Sequence, residues 1–245
     1  PIGIDVLRRV HSKRYIDHIE RCCSSLSVSR DAFPFIFPFG NKLPPNLIAR
    51  RGFFCYDTVT PLCAGTYEAS LAAASCALKG AKIIKKSSRS VYCLCRPPGH
   101  HAGKEKMGGY CYLNNAAIAA TELKPERLAI LDIDSHHGNG TQQVFYSDDS
   151  VLFCSIHGDP RTRYPYAWGY GDEIGRGDGR GFNLNIPLPE SSSGVKWVKS
   201  VEQCLERIRT FDPAYLIVSL GVDGLSEDSN GPFKLSAKDY AMAGG

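Results

Sequence analysis

The chain has 245 residues, a formal net charge of +4 and 43% apolar residues, which is material for one large domain or a small pair, with a real core. That charge is too mild to argue for nucleic acid, and no apolar run approaches the ~20 residues that a membrane-spanning helix requires. Pro1 to Val10 lacks the basic start, apolar middle and cleavage site of a secretory leader.

In chain order, Arg30–Arg51 is rich in Pro, Phe and Gly without a clear period and reads as a long ordered loop. Thr66–Lys79 is Ala-rich, carries Glu68 in its first turn and reads as a helix stopped by Gly80. The short basic cluster of Lys82, Lys85, Lys86 and Arg89 reads as a solvated surface. Val91–Cys95 reads as a strand, and Asn114–Leu123 as a helix with Pro125 just beyond it. Leu128–Asp134 is a second strand, Asn139–Tyr146 a short helix and Val151–His157 a third strand. Arg161–Gly181, dense in Gly, Tyr and Asp, is a further loop, followed by a strand at Phe182–Leu188. Val195–Arg209 spaces Val195, Val198, Val201, Leu205 and Ile208 as an amphipathic helix, and Tyr215–Asp223 is the last strand. Near-continuous apolar runs predict strands buried on both faces. Their alternation with helices predicts an α/β fold, a central parallel sheet covered by helices on both sides. The ten cysteines include no CxxC pair, and several lie in apolar stretches. Free thiols in a reducing, intracellular compartment, the cytoplasm, are therefore expected rather than disulfides.

The chemistry collects at strand ends. Leu128–Asp134 runs into Ser135-His-His-Gly-Asn-Gly140, with Asp132 and Asp134 on one face and His136 at the mouth of the sheet. A carboxylate and an imidazole converging there suit a divalent metal better than a turn with polar caps. Arg96-Pro-Pro-Gly-His-His-Ala102 places two histidines in a stiff loop. Imidazole titrates near neutral pH, so His100 and His101 suit general acid/base work, although they could also be ligands or simply exposed. Leu216–Asp223, a very apolar run ending in Asp, adds a third carboxylate at the same edge. Alone, Asp223 reads as a solvated strand end. With Asp134 and His136 it completes three protein ligands and leaves one position open, as in catalytic zinc sites.

The motifs RPPGHHA, GGYCYLNNAA, LDIDSHHGNGTQ, SIHGDP and VSLGVD resemble the zinc-dependent deacetylase family, which includes histone deacetylases and acetylpolyamine amidohydrolases. The resemblance runs from about His11 to Tyr240. TYEASLAAA, NNAAIAA, HGNG and HGDP are most similar to the acetylpolyamine amidohydrolase branch and its class II relatives. It implies an arginase/deacetylase-like three-layer sandwich around the parallel sheet, formed by a single domain over residues 1–245. Asp134, His136 and Asp223 would bind one catalytic Zn2+. His101 would be the general base and then the acid for the leaving amine, and His100 an electrostatic stabiliser. Asp132 would orient His100, and Asn139 would stand beside His101. Gly109, Tyr110 and Tyr164 would line the substrate tunnel. A structural K+ or Na+ site would use Asp132, Asp134, His136, Ser155 and Ile156, and a second would use Phe145, Asp148 and Val151.

The chain departs from that pattern in three places. The family's first strand and helix are not found after Pro1, and its Gly-Gly-Tyr well downstream of the Asp223 position is not reached before Gly245, so a fragment truncated at both ends is expected. The loop Pro44–Arg51 has no acidic residue to greet a polyamine. Ile48 stands there instead, with Arg50 and Arg51 beside it. Asn139 replaces an Asp frequent in histone-type members and is expected to lower the pKa of His101. The function implied is removal of acetyl or other acyl groups from N-acylated amines, either acetyl-lysine in proteins and peptides or small polyamines. The alternative is a catalytically impaired binding protein of the same fold, lacking the downstream Tyr. An arginase-like two-manganese hydrolase would need more Asp and His ligands. Expected partners are the acylated amine and a second copy in a homodimer, with no direct nucleic acid and no membrane.

Overall fold

The computed structural model describes residues 2–38, 40–87, 90–124 and 126–244. The chain divides into two compact units, Pro1–Leu123 and Lys124–Gly245. Arg89 of the basic cluster and Pro125 lie outside the described residues, while Lys82, Lys85 and Lys86 are exposed as expected.

The first unit is helical. A short helix α1 (Ile4–Leu7) precedes α2 (Lys13–Ser24), whose N-cap Ser12 accepts the Tyr15 amide. In α2, Tyr15, Ile16, His18, Ile19, Cys22 and Cys23 form the buried stripe. Arg30–Arg51 is less uniform than a loop. Ala32 pairs with Leu62 in a single antiparallel bridge, and α3 (Leu47–Phe53) starts inside it, capped by the Asn46 side chain on the Ile48 amide at 2.7 Å. Helix α4 (Thr66–Ile84) packs against α5 (Asn115–Leu123).

Two expectations fail here. Gly80 does not stop α4, which runs on to Ile84 with Gly80 buried inside it. A Cβ at Gly80 would stand 2.5 Å from Cys93 Sγ, so the residue serves close packing rather than termination. Val91–Cys95 is not a strand either: it has no ladder partner among the described residues, and Tyr92 and Leu94 are 73% and 78% exposed. Its cysteines turn to α4 instead, with Cys93 Sγ 3.6 Å from Cys76 O and Cys95 Sγ 3.4 Å from Ala73 O.

The second unit holds a four-stranded parallel sheet in the order β3-β2-β1-β4. Its strands are β1 (Leu128–Asp132), β2 (Val151–Gly158), β3 (Asn183–Leu188) and β4 (Tyr215–Ser219). The helices are α6 (Asn139–Phe145), α7 (Gly194–Phe211) and α8 (Ala237–Gly244). Helix α7 lays Trp197, Val201, Cys204 and Ile208 against Leu152, Cys154 and Ile156 of β2 and Ala129 and Leu131 of β1. β1 and β2 are buried throughout, as predicted. β4 alternates instead, with Leu216 and Val218 43% and 46% exposed. It is one of the two edge strands, beside β1. Arg161–Gly181 is irregular apart from a 3-10 turn at Gly177–Gly179. Among the described residues no helix is long and apolar enough to cross a membrane.

Candidate metal centre and histidine loop

β1 and β4 are adjacent and parallel, with Asp132 opposite Ser219, so the segments leaving both strands start at one edge of the sheet. Asp134 and His136 follow β1, and Asp223 follows β4. One ligand atom from each of the three lies within 4.8 Å of the other two. His136 Nδ1 stands 3.2 Å from Asp134 Oδ1 and 2.7 Å from Asp223 Oδ2. Each carboxylate is aimed by its own neighbours. Asp134 Oδ1 accepts the His136 amide at 2.8 Å, while Asp223 accepts the Ser135 amide at 2.9 Å and the Ser135 hydroxyl at 2.7 Å. Gly221 permits this approach, since a Cβ there would meet Asp134 Oδ2 at 2.1 Å.

Burial opposes a charge on His136, but hydrogen bonds and charge from Asp134 and Asp223 outweigh it and raise its pKa from 6.5 to about 10. Two carboxylates and one imidazole form a donor set that zinc accepts.

Around this centre runs a buried polar chain. His157 Nε2 donates to Gly169 O at 2.8 Å, its Nδ1 accepts the Ser155 hydroxyl at 2.8 Å, and Ser155 Oγ accepts His137 Nδ1 at 3.1 Å. Asp132, fully buried, is the register partner of Ser155, and Gly138 leaves room for its Oδ2. A second network pins the loop Arg161–Gly181. Gln142 Nε2 donates to Glu173 Oε2 at 2.6 Å, and its Oε1 accepts Asn183 and Asn185 at 3.0 and 2.8 Å. Glu173 also accepts the Gly169 amide at 2.9 Å. Tyr164, on this loop, sets its ring edge-on to His136 with centroids 6.3 Å apart. Phe145, Asp148 and Val151 lie in the turn from α6 to β2. There the Asp148 amide donates to Phe145 O at 3.0 Å, while its carboxylate pairs with Lys124 and accepts Ser150.

In the first unit, His100 and His101 are both buried, with ring centroids 4.0 Å apart. Their loop is held from four sides. Tyr56 donates to His101 O at 2.8 Å, Asn114 to Ala102 O at 3.0 Å and Asn115 to Pro97 O at 3.1 Å. The fourth is His11, whose Nδ1 donates to Gly103 O at 2.8 Å while its Nε2 accepts the Asn114 amide at 2.9 Å. Gly109, at φ +53°, lies against the ring of His101: a Cβ there would be 2.1 Å from His101 Cδ2. The Gly109 and Tyr110 amides donate to Asp57 and Thr60, and Tyr110 is 59% exposed. Sequence patterning gave no hint of His11, His137, His157 or Gln142 as parts of these networks. A histidine just before an N-capped amphipathic helix carries no local signal of what its ring will meet.

Residues 1–244 match the histone deacetylase domain. The chain belongs to the histone deacetylase family. It is 42% identical to acetylpolyamine amidohydrolase 2 of Pseudomonas aeruginosa over 99% of this chain and 73% of that protein. It is 36% identical to the acetylpolyamine amidohydrolase of Mycoplana ramosa, over 99% of this chain and 74% of the relative. Among solved structures, the acetylpolyamine aminohydrolase of Burkholderia pseudomallei superposes with a TM-score of 0.93 at 35% identity, covering 99% of this chain and 73% of that one. A histone deacetylase homologue from Aquifex aeolicus gives 0.82 at 28% identity, covering 99% and 61%. The α/β class with its central parallel sheet is thus the histone deacetylase fold.

Proposed function

We propose that this member of the histone deacetylase family is a zinc-dependent hydrolase that removes acetyl groups from N-acylated amines. The observation that carries the reading is the convergence of Asp134, His136 and Asp223 at one edge of the sheet. The relatives named acetylpolyamine amidohydrolases support the reaction class. When bound, zinc polarises the amide carbonyl and lowers the pKa of water. Asp134, His136 and Asp223 would hold it. His101 takes the proton of the attacking water and returns it to the departing amine, while His100 stabilises the negative charge that develops. By the family resemblance, Asp132 and Asn139 would orient the two imidazoles. By the same resemblance, Tyr110 and Tyr164, with Gly109, would wall the channel for a linear aminoalkyl stem. The buried Asp132 and Ser155, with Asp134, His136 and Ile156, are the proposed K+ or Na+ site, and Phe145, Asp148 and Val151 a second one.

The substrate is an acetylated amine, either an acetyl-lysine side chain or an acetylated polyamine. Arg50 and Arg51 on α3, without an acidic neighbour in that loop, favour the singly charged or neutral stem over a polycation. The free state of all ten cysteines fits the reducing cytoplasm.

Metal analysis joined to turnover of an acetyl-lysine peptide and an acetylated diamine tests this reading. The expected result is one zinc per chain with amide hydrolysis, metal lost in Asp223→Ala, and metal kept without turnover in His101→Ala. Near-normal hydrolysis by His101→Ala, or a zinc-loaded protein inert towards both substrates, would overturn it.

A further inference from the structure

Three thiols of the first unit gather outside this machinery. Cys76 is on α4, and Cys93 and Cys95 are on the segment that runs beside that helix. From Val91 to Cys95 burial alternates, with Val91, Cys93 and Cys95 half-buried and Tyr92 and Leu94 exposed, so both thiols face one way. The contacts fix the path. A Cβ at Gly80 would meet Val91 and Cys93, Cys93 Sγ reaches Cys76 O at 3.6 Å, and Cys95 Sγ reaches Ala73 O at 3.4 Å. The segment therefore descends α4 towards its N-terminus, which brings Cys93 and Cys95 alongside the turn that carries Cys76, close enough for that thiol to raise the pKa of both. All three are free, and Cys76 is the exposed one. Burial and the neighbouring thiols push Cys93 up, and Cys95 to about 12, so these two persist as thiols behind the solvent-facing Cys76.

We propose that Cys76, Cys93 and Cys95 form an oxidisable thiol site, in which the Cys76 sulfur attacks a peroxide and Cys93 resolves the product into a disulfide. In the first step the Cys76 sulfur takes one peroxide oxygen, giving the sulfenic acid and one water. In the second the Cys93 sulfur displaces that hydroxyl, giving the Cys76–Cys93 bond and a second water. Two thiols lose two electrons and two protons, and the peroxide is reduced. Cys95, next along the same face of the segment, can then take over the bond by thiol–disulfide exchange. The bond would tie α4 to the segment that leads directly into Arg96–His101. The proposal is independent of the deacylation reading.

The test is exposure of the folded protein to hydrogen peroxide, followed by alkylation, non-reducing digestion and mass spectrometry. The expected product has lost two hydrogens and two alkylatable thiols. It carries a cross-linked peptide pair joining Cys76 to Cys93, with a minor fraction joined to Cys95, and dithiothreitol reverses it. In Cys93→Ser the link moves to Cys95, and in Cys76→Ser neither cross-link forms. Recovery of Cys76 alkylated, or over-oxidised without a cross-link, would overturn the proposal, as would a disulfide between other cysteines. The wild-type map decides this without relying on the folding of any variant.

Discussion

Acid should unfold the first unit through two buried histidines, and the size of the effect follows from their surroundings. His11 is 1% exposed and His18 3% exposed. Burial lowers His11 from 6.5 to about 4 against the opposing bond to Gly103 O, and burial with Arg50 and Arg51 lowers His18 to about 4. A folded pKa below the unfolded one contributes stability that is complete above the unfolded value. It is lost as pH falls from 6.5 through the folded value, because the unfolded chain takes up the proton first. The shift of roughly 2.5 units, at about 1.36 kcal/mol per unit, caps the loss at about 3 kcal/mol per histidine. Between pH 7 and pH 5 about 2 kcal/mol of it is lost from each, a large share of the ~5–15 kcal/mol that ordinarily holds a domain. The informative variant is His11→Gln. Its amide can donate to Gly103 O and accept from the Asn114 amide as the imidazole does, and it does not titrate. Urea unfolding at pH 7, 6 and 5 should find the variant about 1 kcal/mol less stable than wild type at pH 7. At pH 5 the gap should close or reverse, because the variant sheds about 2 kcal/mol less on the way down. Parallel stability-against-pH lines for the two proteins would refute the assignment of a buried, neutral His11.

Two further outcomes follow from the same contacts. Gly109→Ala puts a methyl group where His101 Cδ2 now lies 2.1 Å away, at a φ of +53° that disfavours any side chain. Hydrolysis should fall by about a hundredfold with zinc content unchanged, as misplacing a reacting group by about 1 Å does; a rate within twofold of wild type would show that His101 needs no such clearance. Gln142→Ala removes three buried hydrogen bonds while Asn183 keeps Glu173 O, Asn185 keeps Tyr170 O and Glu173 keeps the Gly169 amide, at a cost of about 1–2 kcal/mol. Hydrogen exchange at the Gly169 amide, which donates to Glu173, should quicken before exchange in β1 and β2 does.

Local signals made much of this protein legible. β1, β2 and β3, the helix at Asn139 and the long amphipathic helix α7 were readable because each announces itself within its own span, through an apolar run or a 3.6-residue period. Asp134 and His136 were readable for the same reason, being two residues apart beyond one strand. Asp223 needed a second premise, that its strand lies parallel beside β1, and the observed order β3-β2-β1-β4 supplies it.

Other features depended on partners far away in the chain. Val91–Cys95 carries the same apolar signal as β1, yet a strand exists only where another strand offers its amides and carbonyls, and this segment meets helix α4 instead. Gly80 has the composition of a helix stop and the surroundings of a packing contact. The clearest case is His11. Nothing near it in sequence predicts that Gly103 and Asn114, about ninety and a hundred residues on, take up its two nitrogens and hold the loop of His100 and His101. Periodicity and strand-end chemistry are properties of a few consecutive residues. The hydrogen bonds that aim the chemistry are made between residues brought together only when the core closes, and that is where composition and spacing stop being informative.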